Sequence, residues 1–132
     1  MKLANETILR PVVMLVDDEE PYTDVMGQLL KGYGFEVGVG NSARQALELL
    51  HSTTPDLILL DIMMPELDGI TFLRSIRKNP RLSTVPILVV TAYPDTLDAA
   101  MEAGANGHLS KPFRAQELRA AIAEFVQIDA RD

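Results

Sequence analysis

Asp17 and Asp18 close the apolar run VVMLV, Asp61 closes LILL, Thr91 closes ILVV, and Lys111 follows the short segment GHLS. Three carboxylates, a hydroxyl and an ammonium form a coherent set if the fold gathers them. Clustered carboxylates repel one another, and the pKa of at least one rises unless a cation is supplied. A few hard oxygen ligands with room for water suit Mg²⁺, which takes one or two carboxylates together with phosphate oxygens. Such a metal would cancel charge on an incoming phosphoryl group, and a carboxylate fixed beside it could attack phosphorus to give an aspartyl phosphate. Asp61 is the carboxylate expected to do so, with Lys111 and Thr91 neutralising and hydrogen-bonding the phosphoryl oxygens. Singly, each residue has a plainer reading: an acid after a strand is often a turn or N-cap residue, and a lone threonine or lysine is commonly structural.

The elements decide between these readings. VVMLV (Val12 to Val16), LILL (Leu57 to Leu60) and ILVV (Ile87 to Val90) have the length and β-branched content of strands. Their apolar residues are consecutive rather than alternating, which predicts strands covered on both faces in a parallel sheet. A second strand near Phe35 to Val39 and a fifth near Gly107 to Leu109 are weaker signals. Between them lie helical spacings. Tyr22, Val25, Met26, Leu29, Leu30 and Tyr33 form one stripe, and Leu118, Ala121, Ile122, Phe125 and Val126 another. Ser42 with Gln45 resembles a capping box opening a helix through Ala46, Leu47 and Leu50. Gly69 to Lys78, closed by Asn79-Pro80, and Thr96 to Ala103, closed by Gly104, complete the set. About five βα units without linker or repeat predict one doubly wound α/β domain over residues 1–132, with its core at about 9–126. In such a sheet the ligand crevice lies beyond the carboxyl ends of the strands, where the five polar residues fall. Pro65 and Gly69 read as loop residues, Gly69 where the backbone turns into the third helix.

Composition narrows the function. A net charge of -7 repels a phosphate backbone and argues against direct nucleic-acid binding. With no cysteine, thiolate metal sites and cysteine nucleophiles are excluded. Asn5, Glu6 and Thr7 interrupt any apolar leader, and no run is long enough to span a bilayer, so no membrane association and a cytoplasmic location are expected.

VDDEE, LILLDIMMPELDG, VVTA and GHLSKPF, in that order, resemble the receiver domain of two-component response regulators, over about Leu9 to Val126. The resemblance implies a flavodoxin-like fold with strand order 2-1-3-4-5. It implies that Asp61 is the phosphoacceptor, Asp18 a direct Mg²⁺ ligand, Asp17 a metal ligand through water or a metal-positioning acid, and the Met63 carbonyl a further ligand. Thr91 and Lys111 become the phosphoryl-sensing hydroxyl and the phosphoryl-binding cation, and Lys111-Pro112 is similar to a turn whose bond is often cis. The implied partner is a sensor histidine kinase or histidine phosphotransfer protein. The implied activity is self-phosphotransfer and slow autodephosphorylation, not turnover of a separate substrate. Output would pass through the face formed by the fourth helix, fifth strand and fifth helix, which is also a possible homodimer surface. No output domain follows QIDARD, so a downstream protein partner or an effector domain outside this chain is expected.

In receivers, a fifth-strand aromatic turns inward as the threonine moves toward the phosphoryl group. Here His108 occupies that position, a departure that reads first as a ring that packs either way; the alternative is that its burial on activation couples the switch to pH, because imidazole titrates near neutrality. His51 reads as a surface residue. Tyr93 and Pro94 lie where the family's sequence varies, and are expected to influence access to the phosphoryl group or a partner surface. Two other readings compete. GVGNSA places Gly38, Gly40 and Ala43 in a dinucleotide fingerprint with Asp61 about twenty residues on, but it follows the second strand and leaves VDDEE, Thr91 and Lys111 unexplained. A receiver fold that binds partners without being phosphorylated is the other.

Overall fold

The unbroken apolar runs become strands because each can bury both of its faces. In the computed structural model, which describes residues 10–64 and 67–128, β1 (Val12–Val16), β3 (Leu57–Asp61) and β4 (Ile87–Thr91) are the inner strands of a five-stranded sheet. The outer strands are β2 (Glu36–Gly40), beside β1, and β5 (Gly107–Ser110), beside β4. Every pairing in this sheet is parallel. The strand order is 2-1-3-4-5, as the family resemblance implied. Pro65, expected in a loop, lies outside the described residues, as do residues 1–9 and 129–132.

Alternate residues of one strand serve two cores. Val13 and Leu15, Leu57 and Leu59, and Leu88 meet Met26 and Leu30 of α1 (Glu20–Gly32) and Leu118 and Ile122 of α5 (Ala115–Ala123). Met14 and Val16, Ile58 and Leu60, and Ile87 and Val89 face the other way. They meet α2 (Ala43–Ser52), α3 (Gly69–Lys78) and α4 (Leu97–Glu102) through Ala46, Leu50, Phe72, Leu73 and Ala100. Each fully buried aliphatic side chain contributes about 1.5–3 kcal/mol, so a polar residue inside a run is costly and one just beyond its end is not.

The helices depart from expectation in small ways. The buried face of α1 is Thr23, Met26, Gly27 and Leu30, which leaves Val25 70% exposed on the rim of the predicted stripe. Ser42 caps α2 by accepting from the Gln45 N–H at 3.1 Å, but Gln45 reaches back to the Asn41 N–H at 2.8 Å rather than to that of Ser42. A 3₁₀ turn, Pro94–Thr96, precedes α4, which is shorter than the predicted Thr96–Ala103 segment. Helix α5 ends at Ala123, and Phe125 and Val126 pack onto the same core from the turn that follows. Phe35 sits fully buried just before β2.

Close contacts fix both sides of the sheet. A Cβ on Gly40 would stand 2.8 Å from the backbone of Ala46, so this glycine lets α2 approach β2; packing accounts for it, and β2 is an edge strand. Toward the opposite edge, Arg77 donates to the carbonyls of Gly104 (2.9 Å), Leu82 and Ser83 (both 3.2 Å) and to Asn106 Oδ1 (2.7 Å). Asn106 Oδ1 also accepts from the Ile87 N–H at 2.8 Å, and the Asn106 N–H donates to the Ile87 carbonyl at 2.8 Å. One amide thus closes the lower end of β4, and one guanidinium ties it to α3. Gly104, at φ +117°, packs against the Arg77 stem.

Candidate functional site

The chain leaves β1 toward β2 on one side and returns across β1 to β3 on the other, so the loops after β1 and β3 diverge and open a crevice. Asp17 continues the β1 ladder by donating its N–H to the Gly40 carbonyl at 3.1 Å, and Asp61 is the last residue of β3. Oxygens of Asp17, Asp18 and Asp61 lie within 4.8 Å of one another. Asp17 is buried, Asp61 is 9% exposed, and Asp18 is the most open of the three.

Each carboxylate is held in its own way. Asp17 Oδ1 accepts from the Glu19 N–H at 3.0 Å and Oδ2 from Lys111 Nζ at 3.0 Å. Asp61 Oδ1 accepts from the Met63 N–H at 2.9 Å, while Oδ2 is 3.4 Å from Lys111 Nζ. Burial raises the Asp61 pKa above the ordinary carboxylate value; the Met63 N–H and Lys111 oppose this, and Asp17 adds to it. Burial alone would lower the Lys111 pKa, but its hydrogen bond to Asp17 and the charges of both acids outweigh that and raise it. The lysine reaches the acids from the loop after β5, where the Lys111–Pro112 bond is cis and the Lys111 N–H donates to the Thr91 carbonyl at 2.8 Å.

Above the acids lies a cleft of about 440 Å³, lined by Asp18, Glu19, Asp61, Met63, Met64, Ala92, Tyr93 and Lys111. Met63 and Tyr93 are about half exposed on its rim. Thr91, at the end of β4, is fully buried, and its hydroxyl accepts from the Tyr93 N–H at 3.0 Å instead of lining the cleft. His108 is exposed. Its neighbours Gly107 and Leu109 face the α1–α5 core, which turns His108 toward the side of the short helix α4. The structure therefore gathers Asp17, Asp18, Asp61, Met63 and Lys111, and holds Thr91 and His108 apart from them.

Several supporting residues escaped the sequence reading. Asn41 Nδ2 donates to the Asp17 carbonyl at 2.8 Å and to Thr23 Oγ1 at 3.0 Å, joining β1, the loop after β2 and α1. Tyr22, read only as part of a core stripe, carries Lys111 Nζ over its ring at 4.2 Å from the centroid. Its phenol is pushed up to about 12, first by burial. Only the tertiary fold makes either contact visible.

The family model of the response regulator receiver domain matches residues 13–123. The chain belongs to that family. The receiver is 36% identical over 116 residues to the DNA-binding response regulator MtrA of Mycobacterium tuberculosis, a match covering 86% of this chain and 50% of that one. It thus spans about half the length of the curated relatives it matches. Among solved structures, it is similar to the chemotaxis response regulator CheY4 of Vibrio cholerae, with TM-score 0.83 and 27% identity over 89% of this receiver and all of that chain. It is also similar to the receiver domain of the sensor histidine kinase PA1611 from Pseudomonas aeruginosa, with TM-score 0.81 and 28% identity over 89% of this receiver and 98% of that one. That structure has a magnesium ion coordinated in its active-site cleft. The receiver is accordingly a signalling domain of the two-component type. No helix among its described residues is long and apolar enough to cross a membrane.

Proposed function

We propose that this receiver accepts a phosphoryl group on Asp61 and relays it as a conformational signal. The observation that carries the reading is the disposition of Asp61: one oxygen fixed by the Met63 N–H, the other facing Lys111, and two further carboxylates alongside. An oxygen of Asp61 attacks phosphorus, a new P–O bond forms, and the bond from phosphorus to a donor histidine nitrogen or acyl oxygen breaks as that group leaves. Lys111 offers positive charge to the phosphoryl oxygens. Hydrolysis of the resulting acyl phosphate restores Asp61, so the domain carries a label and turns over no separate substrate.

The donor set suits Mg²⁺: three carboxylates, hard oxygens only, one of them open to water, in a cleft that Met63 also lines. Asp17, Asp18, Asp61 and the main-chain carbonyl of Met63 would hold it, the last by the family resemblance, and bound Mg²⁺ would neutralise charge developing on the transferred group. Signal output follows if Thr91 gives up the Tyr93 N–H for a phosphoryl oxygen, while His108 moves from its exposed position into the space vacated. The donor is a sensor histidine kinase or histidine phosphotransfer protein in the cytoplasm. The output surface is the α4–β5–α5 face, which contacts a protein partner, an effector domain outside this chain or a second copy. The reading treats residues 1–132 as one receiver that does not itself touch nucleic acid, in keeping with its net charge of -7.

Intact mass after incubation with a small acyl phosphate tests this. A gain of one phosphoryl group that requires Mg²⁺ and is absent in Asp61→Asn is expected. A folded, Mg²⁺-binding protein that gains nothing would leave the interaction module without phosphorylation as the better reading.

A further inference from the structure

We infer that Tyr22 is a positioning residue for Lys111, holding the ammonium at the cleft through its ring face while the acids that now bind it are taken by metal and phosphoryl group. The inference rests on the Asp61 reading and adds to it a residue outside the receiver motifs. In the structure, Lys111 Nζ has three partners: Asp17 Oδ2 at 3.0 Å, Asp61 Oδ2 at 3.4 Å and the Tyr22 ring at 4.2 Å from its centroid. The first two are the atoms that a bound cation and the acceptor chemistry require. A cation on Asp17 competes with Lys111 for the same oxygen. Once Asp61 is esterified, its carboxylate loses the negative charge that attracted the lysine. The aromatic face is the one partner that neither event consumes.

The placement of the ring supports that role. Tyr22 follows Glu19, whose N–H anchors Asp17, by less than one helical turn, so α1 carries both supports into the site as one rigid piece. With Asp17, Asp61, Met26 and Val90, Tyr22 lines a small hollow of about 10 Å³ beside the acids, so the ring packs directly against the site. On its outer side the ring joins Val25, Phe113 and Pro112 in an apolar groove. Lys111 therefore crosses from that groove to the cleft along the tyrosine face, with its side chain 18% exposed. A carboxylate fixes an ammonium at one point, whereas a ring quadrupole attracts it over a broad face. Nζ can thus shift from the Asp61 oxygen toward a phosphoryl oxygen without losing its third partner.

The test compares phosphorylation rates from a small acyl phosphate at saturating Mg²⁺. Tyr22→Leu, which keeps apolar bulk and removes the face, is expected to slow the reaction about three- to tenfold, the scale of a partly desolvated cation–π contact. Tyr22→Phe is expected to restore it to within about twofold. Phenylalanines carrying progressively more ring fluorines at position 22 should react progressively more slowly, since fluorine drains the ring face while barely changing its size. A flat fluorine series, or a leucine variant as fast as wild type, overturns the inference. If the leucine variant does not fold, the phenylalanine series decides alone. Wild type that fails to react overturns the Asp61 reading instead. The ring-current shift of the Lys111 ε-methylene protons in the resting protein then still decides the contact: present in wild type and absent in Tyr22→Leu if the contact exists, equal in both if it does not.

Discussion

Asp61 is asked to be both buried and charged, and the site answers with one N–H, one ammonium and two more acids. Its carboxyl group holds its proton more tightly in the native state than in the unfolded chain, chiefly because of burial. A native pKa above the unfolded value favours folding at low pH and becomes a penalty as pH rises through the native value. In metal-free buffer at pH 7, Asp61→Asn is therefore expected to melt a few degrees above wild type. The gain should vanish below about pH 4, where an unfolded-chain aspartate is itself protonated. Thermal unfolding of both proteins across that range in chelator checks it, and a variant equal to wild type at pH 7 would show that Lys111 already offsets the whole penalty. Residue types at run ends made Asp17, Asp18, Asp61 and Lys111 legible in the sequence. The partner of the Thr91 hydroxyl was not legible, because a Tyr93 N–H two residues away leaves no mark in residue type.

At the scale of elements, the inner strands could be read directly because they are buried on both faces and so carry unbroken apolar runs. The edge strand β2, Glu-Val-Gly-Val-Gly, signals weakly, since one of its glycines is dictated by the approach of α2 rather than by strand preference. The strand order came from the family's motifs, because periodicity says which segments are strands and nothing about which are neighbours. The Arg77 anchor was likewise invisible, being built mostly on backbone carbonyls. Burial lowers the Arg77 pKa, and among the described residues it forms no salt bridge, so its hydrogen bonds to the loops after α3 and α4 carry its role. Arg77→Met should cost about 2–3 kcal/mol, the worth of several such bonds partly open to water. A lower urea midpoint at unchanged slope, with faster amide exchange at residues 104–106, is the expected signature. A midpoint equal to wild type would show that Gly104 and Asn106 hold the loop unaided.

Over the whole molecule, charge is distributed unevenly around the α4–β5–α5 face. The 3₁₀ turn and α4 carry Asp95, Asp98 and Glu102 with no basic residue, whereas at α5 Arg114 and Arg119 are balanced by Glu117 and Glu124, with Arg119 over the Tyr33 ring of α1. Two copies related by a twofold axis can set each acidic segment against the other's Arg114. Phosphorylation is expected to shift the receiver from monomer toward dimer in sedimentation velocity, and added salt to reverse the shift. His108 lies on the same side. If its imidazole moves inward with the switch, His108→Ala should change the dimerised fraction of the phosphorylated protein; a variant that dimerises as wild type does removes His108 from the switch.

Asn106 bears on how the protein ages. An asparagine followed by glycine, as in Asn106-Gly107, is the sequence context most prone to lose its side-chain amide, through attack of the next backbone nitrogen on the amide carbon. Here the Asn106 side-chain oxygen is held by Arg77 and by the Ile87 N–H, and Gly107 begins a strand paired with β4. The attacking nitrogen and its target are thus fixed by different neighbours and cannot close the ring without local unfolding. Prolonged storage of the folded protein at mildly alkaline pH should leave the mass of the peptide spanning Asn106 unchanged, while the same peptide excised from the chain converts to the acid. Conversion at equal rates in both would mean that this edge of the sheet opens far more often than its bonds suggest.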